Sequence, residues 1–198
     1  MKIQRWTLGE GEVIYIPDWL DNPDRFLGME NYDFTPELIN MYGRSLTLVR
    51  QTANHGLAYT YNADAKLPTD WSQPALEIKK RLEAATGHNF QQCANNYYPD
   101  GKTGIGLHVD KATLINGARV KPNLIASVSI GAQRLMGWAK FGDKQHSAKP
   151  DPDLPQILLK HGSLVLFDRA VNAAYKHTIV QDKQVTDSRI SLTLREFV

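Results

Sequence analysis

The chain has 198 residues, 42% of them hydrophobic and 22% charged, with a formal net charge of +2 at pH 7. This is an ordinary globular composition, which excludes a disordered or collagen-like chain. The sequence has no apolar run near the ~20 residues of a membrane span, and the single Cys93 excludes an intramolecular disulfide.

A chain of this length suits one domain with a core of its own. The mild positive charge permits a nucleic-acid partner without arguing for one. The N-terminus shows no signal peptide. We therefore expect a cytoplasmic protein (nuclear if the source is a eukaryote) that is monomeric and does not bind a membrane. Protein partners are not predicted, and Cys93 is expected to be a buried structural thiol.

The first third of the chain predicts short elements. Residues 11–17 alternate as in a strand, and the run 21–23 offers a helix start with Pro23 in its first turn. Residues 35–43 predict a further short helix that begins at Thr-Pro-Glu and ends near a glycine.

The clearest helix is predicted from residue 73 to residue 85. Ser72 can cap its N-terminus, and Gly87 can terminate it. An apolar stripe at helical spacing would face the core. This stripe consists of Ala75, Ile78, Leu82 and Ala85.

From Phe90 onward the pattern is that of short strands separated by Gly, Pro and Asp turns. Eight strands of this kind indicate a double-stranded β-helix (jelly-roll) core, with the N-terminal helices buttressing one sheet, in the α+β class. The predicted strands are residues 92–98, 106–110, 125–130, 135–140, 157–159, 163–167, 176–179 and 190–197.

Two histidines and one aspartate predict a metal site. His108 and Asp110 lie two residues apart on a predicted strand, so their side chains point to the same face. With His177 they form the 2-His-1-carboxylate set that binds non-haem Fe(II) and leaves open positions for reactants. The alternative is a chance His-x-Asp tripeptide without a ligand role.

The last predicted strand places Arg189, Ser191, Thr193 and Arg195 on one face. Two arginines beside an iron site could bind a cofactor that carries two carboxylates, because guanidinium pairs with carboxylate through two parallel hydrogen bonds. The alternative is that the arginines lie on a solvent face. The ordered set of ligands and arginines predicts an Fe(II)- and 2-oxoglutarate-dependent dioxygenase.

The chain resembles the AlkB family of Fe(II)/2-oxoglutarate dioxygenases from about Val49 onward. The resemblance implies that His108, Asp110 and His177 are the iron ligands and the catalytic centre. The segments that carry it are 96–101 (NYYPDG), 107–110 (LHVD), 125–131 (IASVSIG), 161–164 (HGSL) and 189–195 (RISLTLR).

The resemblance also implies the 2-oxoglutarate pocket. Arg189 and Tyr98 would bind the distal carboxylate, whereas Arg195 and Asn96 would lie at the end that chelates iron. Ser191 stands where the family commonly has asparagine, and its shorter reach predicts modestly weaker cofactor binding. The implied cofactor-binding residues are Asn96, Tyr98, Arg189, Ser191, Thr193 and Arg195.

The activity that the resemblance implies is oxidative removal of N-alkyl (methyl) groups from damaged nucleobases in DNA, with RNA as the alternative nucleic acid. The reaction would consume O₂ and 2-oxoglutarate at Fe(II), with ascorbate as a supporting reductant. It would release an aldehyde, succinate and CO₂. The expected partner is alkylated DNA.

Residues 49–62 resemble the nucleotide-recognition lid of repair relatives. Tyr61 would stack on an extruded base, Tyr59 and Asn62 would contact the base or its backbone, and Arg50 would hold the nucleotide. The alternative is a β-hairpin whose tyrosines cover a hydrophobic edge. We expect a single domain over residues 1–198, with an N-terminal extension and lid to about residue 90 and the jelly-roll core beyond it.

Ala112 departs from the family pattern. Repair relatives commonly have an acid two positions after the iron-binding aspartate, where it meets a cationic methylated base. The loop 111–123 that follows contains Lys111, Arg119 and Lys121 and no acid. This loop either contacts phosphate or is a solvated basic loop.

Two other functions stay open. The same chemistry could act on a protein, a modified RNA or a small molecule, to which the neutral Ala112 is better suited. A non-catalytic jelly-roll binding module ranks last, because all three ligands and both arginines are present. We expect structural or surface roles for His146 and His161, whereas His55 lies within the expected lid.

Overall fold

The structure is a computed structural model that describes residues 2–29, 34–41, 44–61, 64–66 and 69–198. Its larger sheet contains eight antiparallel strands in the order β1-β2-β14-β11-β16-β7-β4-β3. These strands are β1 Gln4–Leu8, β2 Gly11–Ile16, β3 Thr35–Met41, β4 Arg44–Gly56, β7 Gln92–Tyr98, β11 Leu124–Gly131, β14 Leu164–Asp168 and β16 Arg189–Glu196.

The smaller sheet has four antiparallel strands in the order β13-β12-β15-β8. Two hairpins, β5-β6 and β9-β10, add a pair of strands each. The remaining strands are β5 Tyr59–Tyr61, β6 Asp64–Lys66, β8 Ile105–His108, β9 Thr113–Ile115, β10 Ala118–Val120, β12 Arg134–Lys140, β13 Ile157–Leu159 and β15 Tyr175–Ile179.

The two sheets pack face to face around a shared apolar core. Ile125 and Phe167 of the large sheet and Trp138 and Ile179 of the small sheet belong to this core, and each is at most 8% exposed. The predicted jelly-roll core is confirmed, and the strand regions predicted after residue 90 are all found, with ends shifted by at most two residues.

A helix covers the outer face of the large sheet. Helix α1 (Gln73–Thr86) buries Ile78 and Leu82 completely against outward-facing residues of β11 and β16. Each such side chain contributes about 1.5–3 kcal/mol when it leaves water. The predicted helix and buttress are confirmed. Gly87 terminates the helix with a φ of 72°, a backbone conformation that favours glycine.

The sequence prediction was wrong over residues 35–43. The described part of that segment is β3, which pairs with β4. A local helix-start signal was outweighed by pairing with the next strand of the chain. The helix expected at Pro23 is one 3-10 turn, Pro23–Phe26, and Ser72 makes no side-chain cap. The short helix α2 (Arg169–Ala174) was not predicted. Among the described residues, no helix is long and apolar enough to cross a membrane.

Alternation along β11 and β16 divides the polar and apolar residues between the two faces of the sheet. Ile190, Leu192 and Leu194 of β16 pack outward with Ala126 and Val128 of β11, beneath α1. The intervening residues of both strands point between the sheets, where an ordinary jelly roll would have apolar residues. In this chain most of them are polar, and Ser127, Ser191, Thr193 and Arg195 line the pocket described next. Ile125 of β11 instead belongs to the core between the sheets.

Candidate active site

The two histidines are brought together by strand pairing. His108 ends β8 and lies directly opposite His177 of β15, with 4.3 Å between the ring centroids. The regular register ends just after this pair, between His177 and Ile179. Trp138 and Phe167 pack on the His177 ring at centroid distances of 5.5 and 5.1 Å, which keeps this side of the site apolar.

Asp110 follows the end of β8 and is held by its backbone and its side chain. The Asn172 side chain accepts a hydrogen bond from the Asp110 amide and donates one to its carbonyl, both at 2.9 Å. Oδ1 accepts a hydrogen bond from Nη2 of Arg195 at 2.8 Å. One ligand atom each from Asp110, His108 and His177 lie within 4.8 Å of one another. The structure therefore assembles the predicted metal-binding set.

The protonation of the three groups suits a divalent cation. Burial lowers the pKa of His177 to about 3, with His108 acting in the same direction. Burial is also the main reason why the pKa of His108 lies below its ordinary value. Burial alone would raise the pKa of Asp110, but Arg195 and the two histidines hold it below its usual range. At neutral pH the two imidazoles are therefore neutral and the Asp110 carboxyl is ionised, which are the forms that bind a metal.

Hydrogen bonds leave ligand atoms available. Nδ1–H of His108 donates to the Gly106 carbonyl at 2.9 Å, a tautomer assigned from this contact, so Nε2 keeps its lone pair. Oδ2 of Asp110 and Nδ1 of His177 are buried without a hydrogen-bond partner among the described residues. Buried polar atoms are normally paired, and this donor set matches iron(II). The residues present therefore fit the metal.

Arg189 is a buried cation on the face of β16 that also carries Arg195. Its Nη2 donates to Oγ of Ser129 at 2.9 Å, and its guanidinium carbon lies 5.4 Å from the centre of the Tyr98 ring. Its Nε and Nη1 have no hydrogen-bond partner within the part of the chain that the structure describes. Burial lowers the pKa of Arg189 to about 10, so the side chain stays cationic at neutral pH. A carboxylate is the ligand that such a group fits.

The other five predicted cofactor-binding residues line the pocket that contains the iron-ligand set, which spans about 770 Å³ including the part open to solvent. Strand register places Arg189 opposite Tyr98, and Ser191 opposite Asn96. Thr193 and Arg195 continue the same face, and Arg195 also donates to Oε1 of Gln92 at 3.0 Å. The structure thus collects the six predicted side chains on two neighbouring strands, although it tests none of their roles.

The four predicted lid residues differ in where they lie. Arg50 is 5% exposed and lines the pocket with His108. Tyr59 and Tyr61 lie on β5, which pairs with β6 and confirms a hairpin there. Asn62 lies outside the described residues. Stacking by Tyr61 and base contact by Tyr59 and Asn62 therefore remain predictions.

Several residues that shape the site were not predicted. Gln92 could have been found, because it shares the inward face of β7 with Asn96 and Tyr98. Asn172 and Ser129 gave no local signal, because each meets its partner across more than fifty residues of sequence. Buried Arg134 stacks over Tyr98 at 5.9 Å, while its guanidinium donates to four backbone carbonyls.

Three of the four other histidines were considered in the sequence analysis, and each has defined neighbours in the structure. His55 is buried, stacks with Trp71 and hydrogen-bonds to the Asp70 carbonyl, so its role is structural. His161 accepts a hydrogen bond from the Gly131 amide, as a structural role requires. His146, for which a structural or surface role was expected, lies beside two carboxylates, since one ligand atom each of His146, Asp143 and Asp151 lie within 4.8 Å of one another. The expected buried thiol is confirmed, since Cys93 is fully buried and donates to Asn95.

Comparison with known proteins agrees with this geometry. The family model of the 2OG-Fe(II) oxygenase superfamily matches residues 29–195. DNA oxidative demethylase ALKBH2 of Bos taurus is 27% identical over 163 residues, covering 81% of this chain and 57% of that protein. Alpha-ketoglutarate-dependent dioxygenase alkB homolog 3 of Rattus norvegicus is 31% identical over 157 residues, covering 74% and 49%.

A solved structure supports the fold. The structure of OsALKBH1 superimposes with a TM-score of 0.62 at 14% identity, covering 98% of this chain and 100% of that one. Fold, metal set and sequence define a non-haem iron oxygenase of the jelly-roll type. The chain belongs to the 2OG-Fe(II) oxygenase superfamily and, within it, to the AlkB family. It spans about half the length of the two curated relatives described above.

Proposed function

We propose that this chain is an Fe(II)- and 2-oxoglutarate-dependent oxidative demethylase of N-alkylated nucleobases in DNA. The observation that carries the proposal is the convergence of His108, Asp110 and His177 at one pocket, which is also lined by the face of β16 that carries Arg189. The similarity to DNA oxidative demethylase ALKBH2 supports the substrate class.

When bound, iron(II), 2-oxoglutarate and O₂ would supply the oxidation of an N-alkyl carbon. The hydroxylated alkyl group would then leave the base as an aldehyde. The residues of the chain do the binding and positioning. His108, Asp110 and His177 hold the metal, while Arg195 and Asn172 fix the position of Asp110. No side chain has to act as a nucleophile.

Arg189 binds the far carboxylate of 2-oxoglutarate in this proposal. Tyr98 and Ser129 fix its orientation, and the two unpartnered N–H groups supply donors for a carboxylate. Asn96 and Arg195 lie towards the metal end of the pocket, with Ser191 and Thr193 between the arginines. Trp138 and Phe167 exclude water from the side of His177.

The nucleic acid is held by the lid in this proposal. Arg50 contacts the nucleotide from β4, Tyr61 stacks on the extruded base, and Tyr59 and Asn62 contact the base or its backbone. One domain acts as a monomer, and RNA is the alternative polymer.

The first experiment measures succinate formation by the purified, iron-loaded protein, with and without a methylated oligonucleotide, while mass spectrometry follows the base. Stimulated succinate formation with replacement of methyl by hydrogen is expected. His108→Ala should abolish both signals. Succinate formation without any stimulation would contradict nucleobase demethylation while leaving the dioxygenase chemistry intact, and would favour another substrate.

Tyr61→Ala tests the lid against the matched control Tyr61→Phe. Loss of stacking, at about 1–3 kcal/mol per base, should lower oligonucleotide turnover roughly tenfold. Oxidation of 2-oxoglutarate without substrate should be unaffected, and the phenylalanine variant should retain turnover. Equal losses in both reactions would show that Tyr61 supports the fold or the cofactor pocket instead.

A further inference from the structure

A second arginine lies beside Tyr98, where the proposed function places the far carboxylate of 2-oxoglutarate. Arg134 of β12 is 1% exposed, and its guanidinium carbon lies 5.9 Å from the centre of the Tyr98 ring. The guanidinium carbon of Arg189 lies 5.4 Å from the same ring centre. Tyr98 is itself fully buried. Two buried guanidinium groups therefore share one buried aromatic ring.

Arg134 is fixed in place by the backbone around it. Its Nη1 donates to the Asp100 carbonyl at 3.1 Å. Its Nη2 donates to the carbonyls of Gly101, Thr103 and Val180 at 3.1, 2.7 and 2.8 Å. Gly101 and Thr103 belong to the turn that follows β7, and Val180 comes directly after β15. These contacts hold the guanidinium in one position beside the end of β7.

Hydrogen bonds to carbonyls leave the charge of Arg134 without a close counter-ion. Among the described residues, no carboxylate lies within 4.0 Å of its guanidinium, and Asp100 and Asp182 act on it from further away. Burial lowers the pKa of Arg134, against smaller opposing effects of Tyr98 and the two aspartates. A guanidinium nevertheless stays protonated at neutral pH. The pKa of Arg189 is lowered to about 10 by burial and, to a smaller extent, by the charge of Arg134.

Both guanidinium groups also retain donors that the protein does not use. Nε of Arg134 and both Nε and Nη1 of Arg189 are buried without a hydrogen-bond partner in the described part of the chain. Buried donors are normally paired, and buried like charges are unfavourable unless an anion compensates them. The surroundings of the Tyr98 ring are therefore suited to an anion that meets two cations.

We propose that Arg134 is a second cation for the far carboxylate of 2-oxoglutarate, which strengthens binding from behind Tyr98 while Arg189 forms the direct pair. The inference rests on the proposed function, which assigns 2-oxoglutarate to this pocket, and adds a residue that determines specificity for it. Attraction between charges acts over several ångströms in a protein interior, so Arg134 need not touch the ligand. Its charge favours a ligand with a far carboxylate over one without it.

The test compares two ligands that differ at the far end alone. 2-Oxopentanoate has the carbon chain and the chelating end of 2-oxoglutarate, with a methyl group in place of the far carboxylate. The affinity of the Fe(II)-loaded protein for each ligand is measured by calorimetry without oxygen, so that binding is read independently of turnover. The ratio of the two affinities isolates the contribution of the far carboxylate.

Arg134→Met should lower the affinity for 2-oxoglutarate by about tenfold and change that for 2-oxopentanoate by about twofold or less. Arg134→Lys keeps the charge and should retain most of the preference, although it loses part of the hydrogen-bond fork. Ile78→Val, on α1, is the control for a loss of stability, since it should lower the Tm without changing the ratio. Equal losses for both ligands in Arg134→Met, or equal losses of preference in the methionine and lysine variants, would overturn the electrostatic role.

Arg189→Met provides a test that leaves every contact of Arg134 with the backbone in place, and it decides the question if Arg134→Met does not fold. With a second cation still present, this variant should prefer 2-oxoglutarate over 2-oxopentanoate by about tenfold. The complete loss of preference would show that Arg189 is the sole cation of the site and would overturn the inference.

The outcomes separate the two proposals. Binding of 2-oxoglutarate by the wild-type protein, with the same ratio of affinities in Arg134→Met, would overturn the role of Arg134 and leave the proposed function standing. Failure of the iron-loaded wild-type protein to bind 2-oxoglutarate would instead count against the proposed function itself.

Discussion

The two arginines of β16 are equally buried and point to the same face, yet their surroundings are opposite. Arg195 has a carboxylate of this chain at 2.8 Å, so its charge is balanced within the protein. Arg189 has Ser129 and the Tyr98 ring, and within the described residues no carboxylate lies within 4.0 Å of it. A buried cation with an internal counter-charge orients a metal ligand, whereas one without it is suited to receive an anion from solution. The difference agrees with the proposed roles, in which Arg195 lies at the metal end of the pocket and Arg189 binds the far carboxylate of 2-oxoglutarate.

The two arginines should differ most when each charge is removed in turn from the metal-free protein. Arg195→Met leaves Asp110 as an uncompensated buried charge and should lower the free energy of unfolding by about 3–5 kcal/mol. Arg189→Met removes a cation that lacks an internal counter-charge. The free energy of unfolding should change by about 1 kcal/mol or less, because the loss of contacts and the relief of desolvation act in opposite directions. Urea unfolding of both variants measures the two changes. Equal destabilisation would show that both arginines are structural.

Asp110→Asn separates metal binding from folding at the Arg195 end. The amide keeps an oxygen for Arg195 but lacks the charge that a divalent cation needs, so succinate formation should fall by roughly a hundredfold or more. The Tm of the metal-free protein should fall much less than in Asp110→Ala. Retained iron-dependent turnover in Asp110→Asn would remove Asp110 from the ligand set.

Arg189→Lys sharpens the comparison at the cofactor end. A lysine keeps the charge but cannot form two parallel hydrogen bonds with a carboxylate, so KM for 2-oxoglutarate should rise by about tenfold. High 2-oxoglutarate should restore kcat. Arg195→Lys serves as the control, because its defect should persist at saturating 2-oxoglutarate. A kcat defect alone in Arg189→Lys would contradict the assignment.

The last prediction is a pH dependence of the metal-free protein. The unfolded chain protonates His177 near pH 6.5, whereas the folded chain does so only near its lowered pKa of about 3. The folded state thus binds fewer protons in this interval, so the free energy of unfolding should decrease as pH falls from about 6.5 to 3. His177→Gln should flatten this slope in urea titrations at several pH values. An unchanged slope would assign the dependence to other groups.

The sequence predicted the parts of the site that depend on strand alternation. Arg189 and Arg195 fall on one face because β16 is a regular strand. Asp110 was also predicted correctly as a partner of His108, although it lies beyond the end of β8, where Asn172 holds its backbone. The spatial partners Asn172 and Ser129 could not be predicted, because they depend on which distant segments pack together.

β4 was missed as a full strand for a related reason. Its inward residues include Arg50, Thr52 and Asn54, so the strand that lines the site lacks the apolar alternation by which strands are recognised. Residues 35–43 failed differently, because their Thr-Pro-Glu start is a helix signal that pairing with β4 outweighs. Polar inward residues thus hid β4, whereas β16 was predicted because its outward residues Ile190, Leu192 and Leu194 keep the apolar alternation.

The central position of β16 in the larger sheet affects how the chain folds. β16 lies between β7 and β11, and its contact with β7 joins Arg195 to Gln92 across 103 residues of sequence. Pairings over such separations are slow to form, because loop closure opposes them before contacts compensate. Until β16 inserts, β7 and β11 each present an unpaired edge to other chains. We therefore expect folding in milliseconds to seconds, with aggregation as the competing reaction whose rate rises with protein concentration.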